Sequence, residues 1–120
     1  MKKVFYLKTC GTCKKIMSQY DLSDWDLREI KSKPVTEEEL DEMYAITQSY
    51  ESLFSKKSTQ IKARGIDTSS LKEADYKHLI LDHYSFLKRP VFLTDHLIFA
   101  GSDKKNLENL HLFFENQDQK

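Results

Sequence analysis

The sequence predicts an α/β fold built as a βαβ unit, a helical insert and a ββα ending. Three observations predict it. The apolar run Val4-Phe5-Tyr6-Leu7 leads at once into Cys10-Gly11-Thr12-Cys13-Lys14-Lys15, as a strand leads into a helix. Residues 36–87 carry helical patterning and no convincing strand. Beyond Pro90, the runs Val91-Phe92-Leu93 and Leu97-Ile98-Phe99-Ala100 flank Thr94-Asp95-His96, a tight hairpin, ahead of a last amphipathic stretch.

Each element follows from its residues. Residues 4–7 form the first strand, and residues 11–20 the first helix, with Ile16, Met17 and Tyr20 on its apolar side. Residues 25–30 alternate Trp25, Leu27 and Ile30 against Asp26, Arg28 and Glu29, which predicts a half-exposed second strand. Strand, helix, strand at this spacing predicts a parallel pair with a right-handed crossover. Pro34 stops the strand. Thr36 with Glu39 three residues later is a capping box, and Leu40, Met43, Tyr44 and Thr47 mark the face of the helix it opens. From Tyr50 to Leu87 several short helices are expected, with a turn at Gly65. After the hairpin, Ser102 or Asp103 caps a final helix lined by Leu107, Leu110, Phe113 and Phe114. Residues 116–120 are polar and expected to fray. The expectation is one domain over residues 1–120, with residues 36–87 as an insert within it.

Composition narrows the function. Nineteen basic residues balance nineteen acidic ones, which gives no support to a nucleic-acid binder working by bulk charge. No stretch is long and apolar enough to cross a membrane. The first apolar run stops at Lys8, too short for a signal peptide. Two close cysteines without a secretory segment fit a reducing compartment, so a cytoplasmic protein is expected.

Cys10 and Cys13 are the only cysteines in the chain. A thiol at a helix start faces unpaired backbone N–H groups that stabilise its thiolate, and the thiolate is the nucleophile. Cys13 lies one turn on, on the same face, placed to resolve a mixed disulfide or simply to pack. Gly11 and Thr12 offer backbone N–H groups for an anion, or merely start the helix. Lys14 adds charge near the thiolate or is a solvated surface lysine. A zinc site needs two further ligands, and His78, His83, His96 and His111 are scattered far along the chain, so redox chemistry is the better reading and no metal is expected.

The Cys10-to-Lys15 motif after the first strand, together with Leu87-Lys88-Arg89-Pro90-Val91 before the third, resembles the arsenate reductase family of glutaredoxin-like proteins, which also contains the Spx-type regulators. The resemblance covers almost the whole chain. It implies a thioredoxin-like fold with an inserted helical region and a cis peptide bond before Pro90, beside the catalytic cysteine. It gives Cys10 the role of nucleophile on arsenic and Arg89 that of oxyanion ligand. Leu53-Phe54-Ser55-Lys56-Lys57-Ser58 matches the segment that ends in a further basic residue, which makes Lys57 its counterpart. A lysine supplies charge there without a planar fork. The arginine that reductases carry beyond the hairpin is absent, and Gly101-Ser102-Asp103-Lys104-Lys105 offers only lysines.

These residues predict a thiol reductase. Cys10 attacks an oxyanion, a disulfide or a glutathionylated thiol, and Cys13 or an external thiol completes the exchange. Electrons come from glutathione, glutaredoxin or thioredoxin, with no flavin or nicotinamide. The alternative implied by the resemblance is an Spx-like regulator that binds RNA polymerase and uses the Cys10–Cys13 pair as an oxidation switch.

Overall fold

The computed structural model describes residues 1–118, and the side chain of Asp118 is outside the description. The chain divides into two compact units, one formed by Met1–Glu29 with Arg89–Lys120, the other by Ile30–Lys88.

The first unit is a four-stranded mixed sheet with two helices. Its strands are β1 (Lys2–Tyr6), β2 (Asp26–Glu29), β3 (Val91–Thr94) and β4 (Ile98–Ala100), in the order β2-β1-β3-β4. β1 runs parallel to β2 and antiparallel to β3, and β3 runs antiparallel to β4. The helices are α1 (Gly11–Met17) and, at the chain's other end, Lys104–Asp118.

The register explains the core. Val4 faces Phe92, and Phe92 faces Phe99, so these side chains share one side of the pleat. They pack with Ile16 of α1, with Trp25, and with Leu110 and Phe114 of the C-terminal helix. Trp25 and Phe114 both meet the Phe92 ring nearly edge-on, at 5.6 and 5.9 Å between centroids, and Tyr20 stacks on Phe114 at 4.1 Å. Phe5, Val91 and Leu93, of opposite parity, are buried as well.

Several boundaries differ from the sequence reading. α1 ends at Met17, three residues early, where Ser18 caps it through its N–H and returns its hydroxyl to the Lys15 carbonyl. β2 does not alternate as predicted. Leu27 is 47% exposed, whereas Arg28 is 8% exposed with its guanidinium 5.7 Å from the Phe5 ring centre. A cation that stacks on an aromatic face buries its stem, which the polar-out pattern did not anticipate. At the chain's end, residues 116–118 continue the last helix instead of fraying. Gln119 and Lys120, expected to fray with them, lie outside the described residues.

The second unit is helical. It contains α2 (Glu37–Thr47), α3 (Thr59–Ala63), α4 (Glu73–Asp82) and three short 3-10 turns, Glu51–Leu53, Thr68–Ser70 and Tyr84–Phe86. The last helix of the chain, Lys104–Asp118, is therefore α5. The capping box forms in full at α2: Thr36 Oγ1 accepts from Glu39 N–H at 3.1 Å, and Glu39 Oε1 accepts from Thr36 N–H at 3.0 Å. Gly65 occupies the left-handed region at φ 64°. Lys77 of α4 pairs with Glu37 and Asp41 of α2. Phe54 stacks on Phe86 at 5.4 Å and meets Tyr76 at 4.9 Å. An isolated bridge joins Phe54 to Leu87, the only extended pairing among the described residues of this unit.

Two substitutions test this packing. Phe92→Ala removes the ring that Trp25, Tyr20 and Phe114 all touch, and should cost roughly 3–5 kcal/mol in urea denaturation. Thr36→Ala leaves a helix N–H without its cap and should cost about 1 kcal/mol in the same assay.

Candidate active site

Cys10 is the N-cap of α1, with extended backbone angles, φ −87° and ψ 110°. It is a cap that uses sulfur. Its Sγ accepts from the Cys13 N–H at 3.4 Å, where serine or aspartate would offer oxygen. The loop into the helix is held from both sides. Cys10 N–H donates to the Leu7 carbonyl at 3.1 Å, and Lys8 N–H donates to Glu29 Oε2 at 2.8 Å. Glu29 ends β2, beside Tyr6 at the end of β1, so the parallel pair anchors the cysteine loop. Nothing in the sequence singled out Glu29. Its role comes from the register, which no short pattern encodes.

The same register brings Arg89 to the site. β1 and β3 are antiparallel, with Phe5 opposite Val91. The chain leaving β1 toward Cys10 and the chain entering β3 through Arg89-Pro90 therefore meet at one end of the sheet. The Arg89–Pro90 peptide is cis, as the resemblance implied.

The two sulfurs differ. Partial burial pushes the Cys10 thiol up, but hydrogen bonds from the backbone and the thiol of Cys13, the charge of Arg89 and a hydrogen bond from the Thr12 backbone outweigh it. The net effect holds Cys10 below the usual thiol value. Cys13 has no exposed surface, and burial pushes its thiol up to about 12. The hydrogen bond it gives Cys10 and the negative charge on Cys10 add to that rise, while a hydrogen bond from the Leu7 backbone and the Arg89 charge oppose it. Of the two, Cys10 is the half-buried sulfur that gives up its proton more readily, beside a buried thiol that donates to it.

The remaining predicted residues divide. Gly11 and Thr12 are exposed in the first turn, and a Cβ built on Gly11 would meet nothing within 4 Å, so the approach there is open. Lys14 is exposed on α1, with its N–H donating to the Cys10 carbonyl at 3.1 Å. Pro90 is buried. Lys57 belongs to the helical unit, exposed in the turn before α3, whose N-cap is Ser58. Among the described residues no three His, Cys, Asp or Glu side chains gather as a metal ion would require. No helix among them is long and apolar enough to cross a membrane.

A mixed four-stranded sheet with a thiol capping the first helix and a cis-proline before the third strand is that of a thioredoxin-like protein. The sequence profile of the ArsC family matches residues 5–110, and the chain belongs to that family. Solved structures share the fold. The YffB protein superposes with a TM-score of 0.74 at 21% identity, covering 95% of this chain and 99% of its own. An ArsC family related protein from Bacteroides fragilis gives 0.73 at 19% identity, covering 91% and 97%. An arsenate reductase related protein from Brucella melitensis gives 0.66 at 23% identity, covering 92% and 93%. No curated protein matches the sequence.

Thiol alkylation over a pH series tests the asymmetry. Cys10 should react with iodoacetamide with a midpoint below that of an ordinary cysteine, while Cys13 stays unlabelled in the folded protein. Arg89→Met removes a positive charge that favours the thiolate, so the Cys10 midpoint should move to higher pH and the neutral-pH rate fall several-fold. An unchanged midpoint would remove Arg89 from this account.

Proposed function

We propose that the protein is a thiol-dependent reductase of the arsenate reductase type, with Cys10 as nucleophile and an external thiol closing the cycle. The observation that carries this reading is the contrast between a Cys10 held low and a buried Cys13 pushed up to about 12. Only one of the pair is poised to attack. Membership of the ArsC family supports the same chemistry.

With a glutathione mixed disulfide, the Cys10 thiolate attacks the glutathione sulfur. A Cys10–glutathione disulfide forms, and the substrate leaves as a thiolate. A second glutathione, or a glutaredoxin or thioredoxin thiolate, then attacks the glutathione sulfur and returns Cys10 as thiolate. With arsenate, a Cys10–arsenic bond forms as water leaves. A donor thiolate then attacks the Cys10 sulfur, and arsenite departs with the bonding pair. The Cys10 disulfide so formed is reduced by a further thiol. Two thiols become one disulfide per arsenic reduced.

In both cases Arg89 holds the negative charge of the substrate and steadies the thiolate, while the N–H groups at Gly11 and Thr12 face the incoming anion. Lys14 adds positive charge toward the substrate. Cys13 serves Cys10 as a hydrogen-bond donor and leaves resolution to the external thiol. Such a cycle suits the cytoplasm, where glutathione keeps thiols reduced. The helical stretch of residues 36–87 is an insert within a single thioredoxin-like domain.

The test is thiol consumption by the reduced protein with arsenate, and separately with a glutathione mixed disulfide, each coupled to glutathione and glutaredoxin. Cys10→Ser should abolish turnover, and Cys13→Ser should retain a substantial part of it. If neither substrate turns over, while mild oxidant joins Cys10 to Cys13 and the oxidised form captures RNA polymerase, the reductase reading falls to that of an Spx-like redox switch.

A further inference from the structure

One cavity of the sheet unit has no cysteine in its lining. It is an open groove of about 680 Å³ between α1 and α5, with Ile16 and Tyr20 on one wall and Leu107, Glu108, His111 and Leu112 on the other. Lys104 stands at its end. Leu112 is 55% exposed, one of the few large apolar side chains left in solvent.

The outer face of α5 carries an unusual charge order. Lys104 and Lys105 occupy its first turn with no acid among them, and no base lies in its last turn. The Asp103 carboxylate, which accepts from Asn106 N–H just ahead of the helix, suits the helix dipole, but the two lysines after it and the lack of a base at the far end run against it. Helix stability alone therefore does not explain the lysines. Lys104 makes no ion pair among the described residues, and Glu108 makes none.

Lys104, Glu108, His111 and Glu115 are spaced four, three and four residues apart, the rhythm of a single helical seam. Their order is self-complementary when reversed. A two-fold axis placed between residues 109 and 110 of two antiparallel α5 helices sets Lys104 opposite Glu115 of the second copy. It sets Glu108 opposite His111 of the second copy. It also brings the two Leu112 side chains, which flank the seam on one side, together about the axis. Each charge then meets an opposite or hydrogen-bonding partner, and each pairing occurs twice, as an isologous interface requires.

We propose that this face of α5 is a homodimer interface, in which a second copy of the chain packs antiparallel along the α1–α5 groove with Lys104 paired to Glu115 across the two-fold. The occupant is a second copy because the complementarity is of the face with itself. Within one chain His111 Nε2 lies 2.9 Å from Glu115 Oε1, so the carboxylate is already turned to the seam that Lys104 of the other copy would join. The inference goes beyond the thiol chemistry and does not depend on it.

Sedimentation equilibrium of the reduced protein, from micromolar to several hundred micromolar, tests it. The wild type should show a concentration-dependent dimer. Lys104→Glu should weaken it about tenfold, because two attractive pairs become repulsive. The double variant Lys104→Glu, Glu115→Lys should recover most of the affinity. Both changes suit the helix dipole, so loss of folding is not the expected cause of any effect, and circular dichroism checks this. Leu112→Ser, at an exposed position, should weaken the dimer with the fold intact. A wild type that stays monomeric throughout overturns the proposal. So does a Lys104→Glu variant that dimerises as well as wild type, or a double variant no better than the single one.

Discussion

The antiparallel pairing of β1 with β3 is the constraint on which the site depends. Cys10 and Arg89 are seventy-nine positions apart in the chain. They act on one another because Phe5 lies opposite Val91, which lays the exit of one strand beside the entrance of the other. A slip of one residue would turn Val4 and Phe92 away from the α1–α5 core and carry Arg89 with it. The aromatic packing around Phe92 thus does more than stabilise the sheet. It fixes the register that delivers a guanidinium to a sulfur.

Once the strands are placed, the first helix does the rest with little material. Seven residues suffice, because the work is done in the opening turn. Cys10 sits where a capping residue must accept hydrogen bonds, so the demand of the helix for an acceptor and the demand of chemistry for a thiolate coincide. Cys13 enters the core one turn later, and loses its access to solvent by the same geometry that aims its N–H and its thiol at Cys10. Two cysteines of similar intrinsic acidity are separated by burial and by one shared hydrogen-bonding arrangement.

How much of this was legible depended on whether the controlling contact was local. Thr36 and Glu39 announce their helix because a capping box is complete within four residues. Gly65 marks its turn, and Asp103 its helix start, where its carboxylate accepts from Asn106 N–H. The cysteine motif could be read in the same way. The second strand could not. Its alternation placed Leu27 inside and Arg28 outside, whereas the Phe5 face on the neighbouring strand draws Arg28 in. Glu29 was passed over because its partner, the Lys8 N–H, is twenty-one positions away. Arg89 was picked out only because its motif resembles a family, since its spacing from Cys10 carries no local signal.

The open space above Gly11 has a consequence for how such a protein can change. No backbone strain and no neighbouring atom demand glycine at that point. A side chain added there would stand at the mouth of the site without pressing on the core. The room available to an incoming molecule and the integrity of the fold are thus governed by different residues. Descendants of this chain are free to narrow or widen the approach to the sulfur at position 11, while the strands that hold the sulfur in place stay as they are.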